Sequence, residues 1–428
     1  MKLRETVVHL LRTPAVTLGW EWLANVLVRL GGPKLAARLT VWGTDWGSPA
    51  SGRPTVVCLM RDLFSKDVEQ LRLRGSYNYV CVLGGLTRLQ MPFFPPAMRI
   101  QTTYQTYTGP DRTNAIALAM AFAAEVLRLI GRKQPVTAVM SANVDYWQDL
   151  GFKLVCREQG VPFLALSREH PVVAHALGTA IEWYGDTGFA FEGNGVAVAA
   201  RASVDMLVTG NALDEEDVVI TGLPRLDAWR DVDTTIPMEH RRTVTLLSFT
   251  KGYYADDTFV DVLASFAEAA RGLAATPFRF VVKCKSYEDY LAVTEMLPRN
   301  KPSNVEVVYN EPLFSVLPQS RLVIGFNSLA MAEAALSRAP LCVPFYDQCR
   351  RDRSEVMFHP GEPSHQQAIT FPASPEELAQ CITQHCSGSP RLLDADAAEA
   401  IASEFFYWPP DSTITEAVER FIRQYARQ

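Results

Sequence analysis

The chain is predicted to be an α/β protein built as two doubly wound domains, each a parallel sheet covered by helices on both faces. Three observations lead there. The 428 residues exceed the roughly 250–300 at which a single hydrophobic core stops growing, and the 48% of hydrophobic residues can fill two cores. After Pro54, short continuous apolar runs alternate with helical stretches, the pattern of strands buried on both faces. The alternation breaks once, at the polar and aperiodic stretch Asp227–Arg242, and then starts again.

Taken in order, the first series reads as strands Thr55–Met60, Tyr77–Leu83, Val136–Ser141, Pro162–Leu166, Val204–Thr209 and Val218–Thr221. Helices are expected at Arg112–Ile130, Asp145–Gln159 and Gly195–Ala202. The second series reads as strand Thr243–Phe249, helix Asp256–Arg271, strand Phe278–Cys284, helix Tyr287–Leu297 and strand Val305–Val308. Strand Leu322–Gly325, helix Ser328–Ser337 and strand Leu341–Pro344 follow. After Trp408-Pro-Pro410 the chain reads as a helix with an Asp411/Ser412 cap and Ile414, Val418, Phe421 and Ile422 on one face. The expected domains are an amphipathic segment at 1–50, a first Rossmann-like domain at 51–230, a second at 243–408 and a C-terminal helix at 409–428. Ligands of doubly wound sheets bind at the carboxyl ends of the strands, so the expected site is a cleft between the two sheets.

Composition narrows the function. With 41 Lys and Arg against 47 Asp and Glu, a formal charge of −6, the bulk of the chain lacks the basic face a nucleic-acid binder needs. The eight cysteines stand singly in apolar runs such as Thr55-Val-Val-Cys-Leu-Met60, and no C-x-x-C pair occurs. Buried free thiols and a reducing, cytoplasmic compartment are expected. Residues 1–40 carry Lys2, Arg4, Arg12, Arg29, Lys34 and Arg38 against Glu5 and Glu21, with Trp20 and Trp22 among them. Arg12 and Glu21 interrupt the apolar run before the ~20 residues a span requires. The segment is either an interfacial amphipathic element, which would make the protein peripheral on an inner membrane, or a helical layer on the first domain.

The first motif is Val218-Val-Ile-Thr-Gly-Leu-Pro-Arg-Leu-Asp227. Gly222 allows close backbone approach to a ligand and Arg225 can reach an anion, although an ordinary turn with an Arg–Asp pair has the same sequence. With Val208-Thr-Gly210 before it, this stretch resembles the end of the N-terminal domain in GT-B proteins of bacterial surface-polysaccharide synthesis. The group contains CDP-glycerol glycerophosphotransferases and Kdo transferases and, more distantly, UDP-N-acetylglucosamine 2-epimerases. The resemblance implies a GT-B-like pair of Rossmann-like domains facing a cleft, with the C-terminal helix packing back on the N-terminal domain.

Three further segments open the second domain's strand ends. In Leu246-Leu-Ser-Phe-Thr-Lys-Gly252, Ser248, Thr250 and Lys251 form a candidate phosphate cradle. In Arg279-Phe-Val-Val-Lys-Cys-Lys285, Lys283 and Lys285 share one face of an extended strand end and suit a diphosphate; a solvated strand end reads the same way. Cys284 and Lys285 replace the His-Pro often found there in the resembled families, which weakens any role requiring a His. Leu322-Val-Ile-Gly-Phe-Asn-Ser-Leu-Ala-Met-Ala-Glu-Ala-Ala-Leu336 resembles the donor-phosphate segment of GT-B enzymes. Asn327 and Ser328 sit at a helix start whose N–H groups attract anions, and Glu333 can accept from a sugar hydroxyl.

For acid/base work, Leu164-Ala-Leu-Ser-Arg-Glu-His-Pro171 follows a strand on the acceptor side, so Glu169 or His170 can take a proton from an acceptor hydroxyl. A surface Arg168–Glu169 pair is the plain alternative. Asp145 of Asn143-Val-Asp145 is a second candidate or a helix N-cap, and Gly84-Gly85 is a close-approach site or a simple turn. Arg350, Arg351 and Arg353 form a loop that either clamps phosphate or is solvated. The D-x-D pairs Asp231/Asp233 and Asp394/Asp396 follow no strand, and no metal is expected.

The expected activity is therefore transfer of a sugar, including a Kdo-type acid sugar, from a CMP- or UDP-linked donor to a glycan or lipid-linked glycan, with no cofactor and no nucleic acid. The alternatives are a nucleotide-sugar epimerase of the same fold and a non-catalytic glycan-binding protein with a decayed donor site.

Overall fold

The computed structural model describes residues 26, 30–61, 64–100, 103–168, 172–249, 256–298 and 300–426. It divides into two compact units, one of residues 1–171, 179–227 and 406–428, the other of 172–178 and 228–405.

The first unit is a six-stranded parallel sheet in the order β2-β1-β3-β4-β5-β6. The strands are β1 Thr55–Leu59, β2 Asn78–Val82, β3 Val136–Ser141, β4 Phe163–Ser167, β5 Gly195–Val198 and β6 Val218–Ile220. β1, β2, β4 and β5 are buried at every position, as a parallel sheet covered on both faces requires.

One segment reverses the sequence expectation. Gly195–Val198 is a strand and Arg201–Thr209 a helix, where a helix and then a strand were expected. Short apolar runs do not distinguish the two states by periodicity, and tertiary contacts decide. A Cβ at Gly195 would run into the Tyr425 ring, so the strand passes that ring only as glycine. Ala202, Ser203, Met206 and Leu207 are buried on the helix, while Asp205 pairs with Arg201 at 2.9 Å on the solvent side. The helix expected from Asp145 starts only at Leu150.

The C-terminal helix Ile414–Ala426 belongs to the first unit. Ile414, Val418, Phe421 and Ile422 are all buried. Its cap is Thr413, not Asp411 or Ser412. Thr413 Oγ1 accepts from Glu416 N–H at 3.1 Å, and Glu416 Oε2 accepts from Thr413 N–H at 2.8 Å, a capping box. Asp227, 187 residues earlier, accepts from the N–H groups of Ile414 at 2.9 Å and Thr415 at 2.8 Å. Farther along, buried Glu419 accepts from Ser76 N–H at 2.6 Å, Ser76 Oγ at 2.5 Å and the Tyr79 hydroxyl at 3.0 Å.

The second unit is a six-stranded parallel sheet in the order β12-β11-β10-β7-β8-β9. Its strands are β7 Thr243–Leu247, β8 Arg279–Lys283, β9 Val305–Val308, β10 Ser320–Ile324, β11 Leu341–Cys342 and β12 Ile369–Thr370. Its core joins Val244, Leu246, Phe280, Val282 and Ile324 to Phe259, Val262 and Phe266 of the helix Asp256–Gly272 and to Ile382 of the helix Pro375–Ser387. The aperiodic 227–242 stretch is anchored by Arg241, fully buried, which donates to the carbonyls of Thr234, Ile236, Ser320 and Ser337 at 3.0–3.2 Å. Burial lowers the Arg241 pKa to about 10.

Candidate functional site

In each sheet the strand order reverses once, between β1 and β3 in the first unit and between β7 and β10 in the second. Such a switch point is where the loops leaving neighbouring strands diverge and open a crevice at the carboxyl ends.

In the second unit the two most informative motifs flank that point. β7 runs into Ser248 and Phe249, and β10 into Gly325, Phe326, Asn327 and Ser328. The two are in contact, with the Phe249 and Phe326 rings 5.6 Å apart. Gly325 makes this possible, since a Cβ there would lie 2.6 Å from Met331 Sδ and 3.2 Å from Leu247 Cβ. Asn327 has φ +37°, a left-handed backbone that asparagine tolerates better than most residues. Its Oδ1 accepts from Met357 N–H at 2.7 Å. Ser328 heads the helix Leu329–Leu336 in an extended conformation, and its side chain makes no capping hydrogen bond. Glu333 is buried on that helix together with Met331, Ala332, Ala334 and Ala335.

The ends of β7 and β8 are joined by a residue the sequence reading passed over. Asp289, in the first turn of the helix Tyr287–Met296, accepts from Ser248 Oγ and from Lys285 N–H at 2.9 Å. Ser286 caps this helix by accepting from Asp289 N–H at 3.2 Å. A Ser-x-x-Asp spacing was the available signal. Lys283 and Lys285 do not stand side by side. Lys283 is buried and its Nζ donates to the Cys284 carbonyl at 2.6 Å and the Tyr309 carbonyl at 2.8 Å, tying β8 to the end of β9. Lys285 is exposed, because Cys284 still pairs with β9, its N–H donating to Val308 O at 2.7 Å, while the chain then turns into the capped helix. Burial, with the Asp289 charge second, pushes the Cys284 thiol up to about 12, so it is no nucleophile at neutral pH.

A histidine cluster adjoins Asn327. The segment Val172–Gly178, which follows β4 in sequence, packs in the second unit. There His175 Nε2 donates to the carbonyl of Val356 at 2.8 Å, the residue before Met357. His175 Nδ1 lies 3.8 Å from Glu362, which pairs with Arg353. The His175 and His365 rings stand edge-on at 5.8 Å. His365 Nε2 contacts Glu404 at 3.2 Å, and Nδ1 accepts from His359 N–H at 3.1 Å. Burial works to raise the Glu404 carboxyl, but the hydrogen bonds from His365 and Ser364 outweigh it and hold it below its ordinary value. Burial, then the neighbouring His175, lowers His359. Arg353 is thus an ion-pair partner rather than a clamp, Arg351 donates to Gln348 O at 3.0 Å, and Arg350 is exposed.

Gly222 and Arg225 belong to the first unit. Gly222 has φ +80°, and a Cβ there would collide with the Tyr407 carbonyl, so its close approach is to the chain's own C-terminal segment. Arg225 N–H donates to Asp67 at 3.1 Å. Gly84 likewise approaches the chain's own backbone, since a Cβ there would lie 2.7 Å from the Met60 carbonyl oxygen. Glu169, His170, Thr250 and Lys251 lie outside the described residues, as do Trp20 and Trp22.

The first unit's switch point carries a buried polar network. Arg61, after β1, pairs with Asp149 at 2.9 Å, and Ser141, the last residue of β3, donates to the same carboxylate. Asn143 donates to Asp145 at 2.7 Å and accepts from Ser167 at 3.2 Å, so Asp145 is no helix cap. Arg168 pairs with Asp67 at 2.9 Å, both buried. Lys153 is fully enclosed by the rings of Tyr104, Phe163, Phe189 and Phe191, and donates to Val144 O at 2.6 Å and the Tyr104 hydroxyl at 3.0 Å. Burial brings its pKa down to about 8. Among the described residues no group of three or more His, Cys, Asp or Glu is arranged to hold a metal. Asp233 accepts from Thr235 N–H in a local turn, and Asp394 accepts from Asp396 N–H at the start of the helix Ala395–Phe405.

No family model matches the sequence, and no curated protein matches it. Among solved structures it is similar to the UDP-GlcNAc 2-epimerase of Neisseria meningitidis bound to UDP-GlcNAc, with 11% identity, 88% of this chain and 100% of that chain covered and a TM-score of 0.48. A putative UDP-N-acetylglucosamine 2-epimerase of Listeria monocytogenes gives 11%, 87%, 95% and 0.49. A glycosyltransferase of Rickettsia africae gives 12%, 88%, 98% and 0.47. With these identities and TM-scores the likenesses assign this chain neither an activity nor a substrate.

Proposed function

We propose that the chain is a nucleotide-sugar-dependent glycosyltransferase of GT-B type, moving a sugar, a Kdo-type acid sugar included, from a CMP- or UDP-linked donor to a bacterial surface glycan. The observation that carries this reading is the meeting of Ser248–Phe249 with Phe326–Asn327–Ser328 at the switch point of the second unit. Ser328 Oγ and the first N–H groups of the helix Leu329–Leu336 present donors to an anion at a positive helix end. Thr250 and Lys251 follow Ser248 and Phe249 in sequence. These groups hold the donor phosphates and stabilise the charge that grows on the leaving group. Glu169 or His170, next to Arg168, takes the acceptor proton.

Nucleotide protection against thermal unfolding tests the reading. CMP, CDP, UDP or GDP should raise the melting temperature, and Ser328→Ala should remove most of the rise. No shift with any of the four overturns it. One observation favours a second reading, a nucleotide-sugar epimerase, whose chemistry needs carboxylates: Asp145 and Asp149 both follow the end of β3. Turnover of donor with no acceptor, with solvent deuterium entering the sugar, would select the epimerase. Glycan binding without nucleotide binding would select a non-catalytic protein.

A further inference from the structure

The helix spanning 30–42 buries Ala36, Ala37, Thr40 and Val41 against the first unit, with Thr40 Oγ1 bonded to Leu86 O at 3.3 Å. Its outer stripe is Leu30, Lys34, Arg38 and Trp42, spaced four residues apart and all exposed, Leu30 at 79% and Trp42 at 51%. Leu30 and Trp42 stand at the two ends of this stripe with the two cations between them, so one helix face carries both apolar and cationic side chains outward. The stripe continues onto the end of the helix Arg112–Gly131. Arg38 Nε lies 4.0 Å from Glu125, which Arg128 holds with two bonds of 2.6 Å. Lys34 also acts on Glu125, and these cations hold that carboxyl below its ordinary value. Arg132 and Lys133 are exposed one turn on, with Lys133 Nζ 4.3 Å above the Trp46 ring. A hollow between Arg128 and Arg132, floored by Val136 and Val161, lies at the amino ends of β3 and β4, the edge opposite the polar network of Arg61 and Asp149.

We propose that this face of the first unit docks on an anionic lipid bilayer. Lys34, Arg38, Arg128, Arg132 and Lys133 meet headgroup phosphates, and Trp42 and Leu30 enter the interfacial layer, where indole rings are favoured. Charge complementarity and exposed apolar chains select lipid over a nucleic acid: phosphate contacts explain the cations but leave Leu30 and Trp42 unused. The chain that leads into this helix has the same chemistry, with Lys2, Arg4, Arg12 and Arg29 beside Trp20 and Trp22. The cations of the patch make an anionic surface much the better partner than a zwitterionic one, although the protein's net charge is −6.

The test is sedimentation of the full-length protein with large unilamellar vesicles at about 0.1 M salt. Vesicles of phosphatidylcholine with phosphatidylglycerol should carry the protein down, and phosphatidylcholine alone should not. Each neutralised cation weakens partition roughly fivefold, so Arg128→Gln/Arg132→Gln/Lys133→Gln should lose roughly a hundredfold. Lys34→Gln/Arg38→Gln, on a different helix, should lose roughly twenty-five-fold and covers the case in which the triple variant misfolds. Trp42→Ser should reduce the blue shift of tryptophan emission on vesicle binding. Equal partition of the wild type and both charge variants overturns the proposal, as does failure of the wild type to bind anionic vesicles. Tighter binding to a duplex oligonucleotide than to vesicles also overturns it.

Discussion

Replacing Asp289 by alanine isolates the link between the ends of β7 and β8. The carboxylate accepts from Ser248 Oγ and from Lys285 N–H, and it stands in the first turn of the helix it helps to start. A hydrogen bond to a charged acceptor is worth about 1.5–3 kcal/mol, and Lys285, being exposed, takes the low end because water can replace its partner. An acidic residue in a first helical turn adds about 0.3–1 kcal/mol. Asp289→Ala should therefore destabilise the second unit by about 4 kcal/mol, which for a unit of this size lowers its melting temperature by roughly 8–16 °C. Differential scanning calorimetry reads the shift, and amide exchange at Cys284–Ser286 localises it. Asp289→Asn keeps the shape and one acceptor but loses the charge, and should give about half the effect. Since Ser248 sits at the proposed phosphate site, nucleotide affinity should fall about tenfold in the alanine variant, roughly 1.4 kcal/mol. A drop under about 2 °C with unchanged exchange would refute the assignment of Asp289 as the residue that fixes these strand ends.

Lys153 supplies a pH dependence. Its folded pKa, about 8, lies below the ordinary 10.5, so between those values the unfolded chain binds the proton and the folded one does not. Stability then rises with pH across that window, by about 2 kcal/mol from pH 8 to 9.5. Urea unfolding of the wild type and of Lys153→Met should differ by this slope, and parallel pH profiles would disprove it. His175 is the positioning residue for the Asn327 loop, since it grips Val356 while Asn327 grips Met357. In His175→Ala the Met357 amide should exchange about tenfold faster, the equivalent of a lost hydrogen bond of about 1.4 kcal/mol, and His175→Gln, whose amide can still donate to Val356 O, should restore protection. Equal exchange in all three proteins would leave His175 with no such role.

The sheets were legible because their strands are continuous apolar runs, and Val136–Ser141 and Val305–Val308 match to the residue. The segment 195–209 was not, because the choice there is made by the Tyr425 ring, 230 residues from Gly195 in sequence. The stretch 227–242 read as a linker because it lacks periodicity, yet Asp227 and Arg241 within it satisfy backbone groups of distant elements. Local pattern carries no trace of a partner so far away. The site divides in the same way. Ser248, Asn327 and Ser328 could be placed because they follow strands directly, and Asp289 left a Ser-x-x-Asp spacing, whereas His175 and Arg61 act through contacts that only the folded chain creates. The contacts of Lys283 belong with the second group, since only the fold brings its Nζ to the carbonyls of Cys284 and Tyr309.

The buried charges of the first unit allow a sharper test of where function lies. A buried ion pair is weak evidence for stability, because well-packed apolar residues of similar volume are usually as stable or more so. Arg241 has a structural task, four carbonyls of its own unit, and needs no other explanation. Arg61, Ser141 and Asp149 have none of that reach. They satisfy one another at the point where β1 and β3 diverge, which is where a doubly wound sheet exposes its ligands to chemistry. If the trio is there for stability, Arg61→Met/Ser141→Ala/Asp149→Leu should lower the melting temperature by more than about 4 °C, roughly 1–2 kcal/mol for a unit of this size. If it is there for function, the triple variant should melt within about 2 °C of the wild type or above it, keep nucleotide protection at the second unit, and lose turnover of the sugar donor. Full turnover in a stable triple variant would remove the first unit's switch point from the mechanism.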